Sequence, residues 1–151
     1  MGIEKDINQA NFISSRQKAM INILFSYGWI IERIKTFLAK EDITHQQYNI
    51  LRILRGASPK PLSTLQIRER MLDKMSDTSR IVDRLVAKNL VKKSICAADK
   101  RLVDVVITDK GQALLKRIDA STDYVANIMG NLTENDAEML SSLLDRLRGS
   151  E

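Results

Sequence analysis

The feature that most constrains this chain is the run from residue 64 to 108, where two short helix-forming stretches lead without a linker into two β-branched runs around a basic turn. Leu65, Ile67 and Met71 in the first stretch, and Ile81, Val82, Leu85 and Val86 in the second, give each an apolar stripe. Ser63 or Thr64 is suited to cap the first helix and Ser76 the second, because a hydroxyl there accepts from the amides one turn on. The second helix then leaves Thr78, Ser79, Arg80, Asp83 and Arg84 largely outward. At Asn89 the character changes: VKKSIC and LVDVVI flank AADKR, which predicts a hairpin with a polar, basic tip.

The remaining segments read as helices. Both prolines, Pro59 and Pro61, fall in GASPKP, which must interrupt helix because proline lacks an amide donor. A long helix is expected from about Asn8 to Leu38, with Phe12, Ile13, Met20, Leu24, Tyr27, Ile31, Ile34 and Leu38 at helical spacing. Its middle, ILFSYGWII, is apolar nearly all round, so it needs cover on more than one side, from its own domain or a second subunit. Thr44 is the expected cap of a helix to about Arg55, with Tyr48, Leu51 and Leu54 inward. Thr108 should cap a helix reaching Ile128, with Asp109 in the first turn and Gly130 and Asn131 as the stop. Thr133 caps a last helix with Leu140, Leu143, Leu144 and Leu147 on one stripe, and Asp136 supplies an approximate capping box. The expected class is mainly α with a small β-hairpin (α+β), forming a single domain over residues 1–151.

Charge narrows the function. From Arg52 to Arg101 there are 13 basic residues against 5 acidic, while the rest of the chain carries 11 against 14. A surface facing phosphate should show that asymmetry, since each neutralised phosphate releases condensed counterions. No apolar run approaches the roughly 20 residues a bilayer span needs, and the first residues do not resemble a secretion signal. One cysteine, Cys96, leaves no internal disulfide and fits a reducing cytoplasm, the expected location. An enzyme is not expected: the chain offers no phosphate-cradling glycine loop, no metal-ligand spacing and no evident nucleophile with a histidine base. His45, the one histidine, has no obvious second ligand, so neither metal nor cofactor is expected.

Two short helices followed by a hairpin form the pattern of a winged helix-turn-helix. The second helix must present small polar and basic groups to a major groove roughly 12 Å wide, and a basic arm can reach the neighbouring minor groove. At this point the chain resembles the MarR family of transcriptional regulators. ITHQQYNILRIL resembles the family's helix opening of a threonine, two residues and a glutamine, and DTSRIVDRLVAKNLVKK its recognition helix and first wing strand. DKRLVDVVITDKG is similar to the wing signature at Asp99, Arg101, Thr108 and Gly111, and LTENDAEMLSSLLDRL to the closing helix. Two departures stand out: LQIRERMLDKM lacks the usual small-residue turn, and Asn89 replaces a common glycine, a change asparagine tolerates in the left-handed conformation. The resemblance implies a homodimer, with helices in residues 1–40 and 109–151 interlocking and residues 44–107 forming the DNA-binding lobe. The partner implied is a pseudo-palindromic double-stranded operator.

Residue roles follow. Arg101 is expected in the minor groove with Asp99 steadying it, and Lys92, Lys93 and Lys100 at phosphates. Ser76, Thr78, Ser79 and Arg80 are candidates for base edges or phosphates, with Arg80 foremost for guanine, and Arg84 for a phosphate. Asp83 is expected to pair with a nearby arginine. Tyr27, Trp29 and Tyr48, with Phe25, could line a pocket for a small aromatic effector, and repression relieved by such a ligand is the expected regulation. The alternatives are a redox-responsive regulator using Cys96, whose thiolate the nearby lysines would favour, and a winged helix used for protein contacts.

Overall fold

The computed structural model describes residues 2–121 and 123–150. Helices α1 (Ile3–Asp6) and α2 (Ser15–Leu38) open the chain, and a 3-10 turn (Ala39–Glu41) leads to α3 (His45–Ala57). Strand β1 (Leu62–Ser63), helices α4 (Thr64–Arg70) and α5 (Thr78–Ala87), and strands β2 (Val91–Ile95) and β3 (Val103–Ile107) follow. Helices α6 (Asp109–Ser121), α7 (Tyr124–Met129) and α8 (Glu134–Leu147) close it.

Caps decide most boundaries. Thr44 and Gln47 form a reciprocal capping box at α3, Ser63 and Gln66 another at α4, and Thr133 and Asp136 a third at α8; each side-chain cap is worth about 1 kcal/mol. The helix expected from Asn8 begins instead at Ser15, because Ser14 Oγ accepts from the Gln17 amide at 3.1 Å and Asn8 turns left-handed at φ 54° after α1. The helix expected to reach Ile128 is also divided: α6 ends at Ser121, and Asp123, accepting from the Ala126 amide at 3.0 Å, caps a separate α7. Asn89 does adopt the left-handed conformation, at φ 59°. It ends the turn after α5, and its carbonyl accepts from Thr108 Oγ1 at 2.7 Å while that oxygen caps α6 by accepting from the Gly111 amide.

The hairpin belongs to a three-stranded antiparallel sheet of order β1-β3-β2. Leu62 pairs with Val105 and Ser63 with Asp104 on one side of β3, and Val91 through Ile95 pair with Ile107 through Val103 on the other. A two-residue strand is too short for its period to be read beforehand. Leu38, Ile50, Leu51, Leu54, Leu62, Ile67, Val82, Leu85, Val105 and Leu115 make up the fully buried centre, so the core lies under α3 to β3 and the first turns of α6. Neither α7 nor α8 buries a residue in the single chain. Among the described residues, no helix is long and apolar enough to cross a membrane.

Candidate nucleic-acid interface

Helix α5 starts one residue later than Ser76 would dictate. Asp77 is the cap, its carboxylate accepting from the Arg80 amide at 3.2 Å, and an anion there also meets the positive end of the helix dipole. Ser76 is half-buried, and its Oγ has no hydrogen-bond partner among the described residues. Thr78, expected outward, is buried at 4% exposure with Oγ1 likewise unpartnered, because the first turn of α5 packs onto the lobe. The exposed face therefore consists of Ser79, Arg80, Asp83 and Arg84, the spacing of one helical stripe. A cavity of about 320 Å³ opens at this end of α5, lined by Gln46, Met75, Ser76, Arg80 and Arg84 among others.

The hairpin tip is built around one carboxylate. Asp99 Oδ1 accepts from the Arg101 amide at 3.0 Å and from its Nε at 3.1 Å, while Oδ2 accepts from Nη2 at 3.0 Å. The Arg101 guanidinium first, and its backbone amide next, hold the Asp99 carboxyl below its usual range; in return Asp99 raises the Arg101 pKa. The Arg101 side chain nevertheless stays 90% exposed. It is aimed outward with its conformational freedom curtailed, which is what a probing arginine requires. Lys92 and Lys100 are exposed and make no ion pair among the described residues, and the same is true of Arg80 and Arg84. Lys93 differs, since its Nζ lies 2.6 Å from Asp83 Oδ1. The partner expected for Asp83 was an arginine; the structure supplies a lysine. Cys96 is half-buried just beyond β2, its amide donating to the Leu102 carbonyl at 2.9 Å.

A second cavity, of about 510 Å³, lies where α2, α3, the segment after α4, and α7 meet. Tyr27 and Tyr48 line it, as do Ile31, Ile34, His45, Arg52, Met71 and Tyr124. Trp29 does not: it faces another side of α2, where the Arg33 guanidinium sits 3.5 Å from its ring centroid. Phe25 is also outside the lining. His45, Tyr48 and Arg52 share a face because they stand at positions i, i+3 and i+7 of α3, a signal available in the sequence once Thr44 is taken as the cap. Burial, then repulsion from Lys35, lowers the His45 pKa against the opposing pull of Asp73. Its Nδ1 is buried without a partner among the described residues. Burial and the adjacent Tyr124 push the Tyr48 phenol up to about 12, so it remains a hydrogen-bond donor at neutral pH. Arg52 Nη1 donates to the Tyr124 hydroxyl at 2.9 Å, and Tyr124 stacks on Phe37 at 5.0 Å.

A capped helix pair, an exposed polar and basic second helix, and a sheet ending in an outward arginine define a winged-helix DNA-binding protein. The comparisons with known proteins agree: the MarR family matches residues 43–103. TcaR of Staphylococcus aureus, an HTH-type transcriptional regulator, is 30% identical over 115 residues, 74% of each chain. An Escherichia coli MarR variant complexed with operator DNA shares the fold at TM-score 0.75 and 24% identity, covering 83% of this chain and 89% of that one. So does BpsR of Bordetella bronchiseptica, whose DNA binding is regulated by 6-hydroxynicotinic acid, at TM-score 0.73 and 20% identity over 83% and 95%. The chain belongs to the MarR family and is a DNA-binding transcriptional regulator.

Proposed function

We propose that this regulator is a homodimeric, cytoplasmic repressor that lays α5 in the major groove and the β2–β3 wing in the minor groove of a pseudo-palindromic operator, and that a small aromatic ligand releases it. The observation that carries the DNA-facing assignment is the Asp99–Arg101 clamp, which keeps an exposed guanidinium oriented at the tip of the arm. Ser79 and Arg80 are the groups for base edges, and Arg84, Lys92 and Lys100 for phosphates. Ser76, half-buried, and Thr78, buried, are set aside from the DNA-facing groups.

Residues 1–40 and 109–151 serve dimerisation and residues 44–107 form the DNA-binding lobe. Support comes from Met20, Leu24 and Tyr27 on α2 and Met139, Leu140, Leu143 and Leu147 on α8, all exposed in the single chain. A second copy laid on them would bury this apolar surface. The 510 Å³ cavity supports a ligand because it joins apolar walls to the Tyr48 phenol, the Arg52 guanidinium and an unsatisfied His45 nitrogen. Such a lining, with few polar groups among apolar ones, fits a small planar molecule.

One gel-shift series on a duplex selected from a random pool tests the proposal. Arg101→Ala should weaken binding about a hundredfold, the loss of one groove contact of roughly 1 to 3 kcal/mol in each of the two lobes, while sedimentation still shows a dimer. Added phenolic compounds should release the unaltered protein. Equal affinity of the variant would refute the wing assignment, and indifference to every phenol would refute the cavity as an effector site.

A further inference from the structure

Among the described residues, Lys93 is the wing cation tied to the recognition helix itself. The register explains how. Side chains alternate across a strand, so Val91, Lys93 and Ile95 share one face of β2, and Lys93 stands directly opposite Val105, which is fully buried. Lys92 and Ser94 project from the other face. Lys93 therefore rises from the side of the sheet that covers the core, and its ammonium reaches Asp83 Oδ1 at 2.6 Å. Asp83 in turn shares the exposed face of α5 with Ser79, Arg80 and Arg84. A carboxylate there would repel phosphate if left alone. Moving Lys93 to a phosphate would thus expose an anion to the same DNA and give up a close contact.

We propose that Asp83 is a positioning residue that acts through Lys93: by holding that ammonium against α5, it withdraws one cation per lobe from phosphate binding and lowers the sequence-independent affinity for duplex DNA. Among the described residues, Arg80, Arg84, Lys92 and Lys100 make no ion pair, and the clamp on Arg101 leaves its side chain exposed. Sequence-independent affinity scales with the number of phosphates neutralised, so retiring a cation reduces background binding at every site along the genome. Base-reading groups are untouched, so background occupancy falls while α5 and Arg101 still read sequence, and operator binding gives up the same phosphate contact. The inference rests on the reading that α5 and the wing face DNA.

The test is a salt titration of the full-length protein on a mixed-sequence duplex that lacks the selected operator, read by fluorescence anisotropy. Asp83→Asn should bind this duplex several-fold more tightly, and the slope of log affinity against log salt should steepen by about 0.9 for each lobe engaged, one more phosphate apiece. Asp83→Asn/Lys93→Gln, which removes both charges, should return the slope to that of the unaltered protein. If this double variant gives a flatter slope than the unaltered protein, Lys93 already contacts phosphate and the inference fails. It fails equally if Asp83→Asn changes nothing, or acts as strongly when Lys93 is absent, which would reveal simple repulsion by the acid. Failure of the unaltered protein to bind any duplex would overturn the DNA-facing reading and the inference with it.

Discussion

At the scale of single residues, Gly111 shows how closely the wing and α6 are fitted. A Cβ built there collides with the Leu90 carbonyl oxygen and lies 2.7 Å from Ile107 Cγ1. The oxygen belongs to backbone already bonded to the Thr108 amide at 3.1 Å, so it cannot retreat cheaply. Gly111→Ala should therefore destabilise the fold by about 1 to 3 kcal/mol, as overpacking does. A thermal melt lowered by roughly 2 to 12 °C would show it, and an unchanged melt would mean that α6 shifts freely. Asn89, Thr108 and the Asp99–Arg101 pair were legible in the sequence, because a left-handed turn, a cap and a charged hairpin tip each favour particular residue types, whereas Gly111 was marked by the family resemblance and its close approach to Leu90 is seen in the structure. Thr78 and Lys93 were less so. Thr78 is polar yet buried, and Lys93 is exposed yet committed to a neighbour, and residue type alone does not separate those states.

At the scale of elements, boundaries followed caps more faithfully than apolar periodicity. Periodicity ran through Ile13 and through the gap between α6 and α7, where Ser14 and Asp123 restart the helix. Strand β1 escaped notice because its partner, β3, lies about forty residues away, beyond any local pattern. A still longer separation, 76 residues, divides a pair that ties the elements together. Arg117 on α6 donates to Glu41 after α2, through Nη2 at 2.8 Å and Nε at 3.1 Å. The Arg117 hydrogen bond, ahead of its charge, lowers the Glu41 pKa below the ordinary 4.5. A carboxyl depressed on folding contributes its stabilisation above the unfolded pKa and loses it as pH falls through the folded one. The melting temperature should accordingly decline as pH falls below about 5, and Glu41→Gln should flatten part of that decline. A variant with the same acid profile as the parent would show that this strut contributes nothing.

At the scale of the whole molecule, the buried core is concentrated between Leu38 and Ile118, and the flanking helices carry apolar residues that the single chain leaves uncovered. The lobe from α3 to β3 holds most of that core, though Leu65, Leu72, Met75 and Ile95 stay exposed, whereas α8 buries no residue and leaves Leu143 half exposed and Leu147 more so. The apolar middle of α2 signalled this imbalance from the sequence, since a helix apolar all round must be covered twice. Leu143→Glu should produce monomers in light scattering, and operator affinity should fall about a hundredfold or more, because the second lobe loses its effective concentration. A variant that remains dimeric would move the interface elsewhere.

The short strand β1 has a mechanical consequence. It stitches the residue that caps α4 to β3, and β3 is stitched on its other edge to β2, which issues directly from α5. Arm and reading helix are thus joined through one sheet, as in a paddle, and in the proposed dimer a ligand wedged beside α3 would find no hinge between them to bend. What it would alter is the gap between two such paddles, so the proposed release from the operator would be a matter of span rather than of grip.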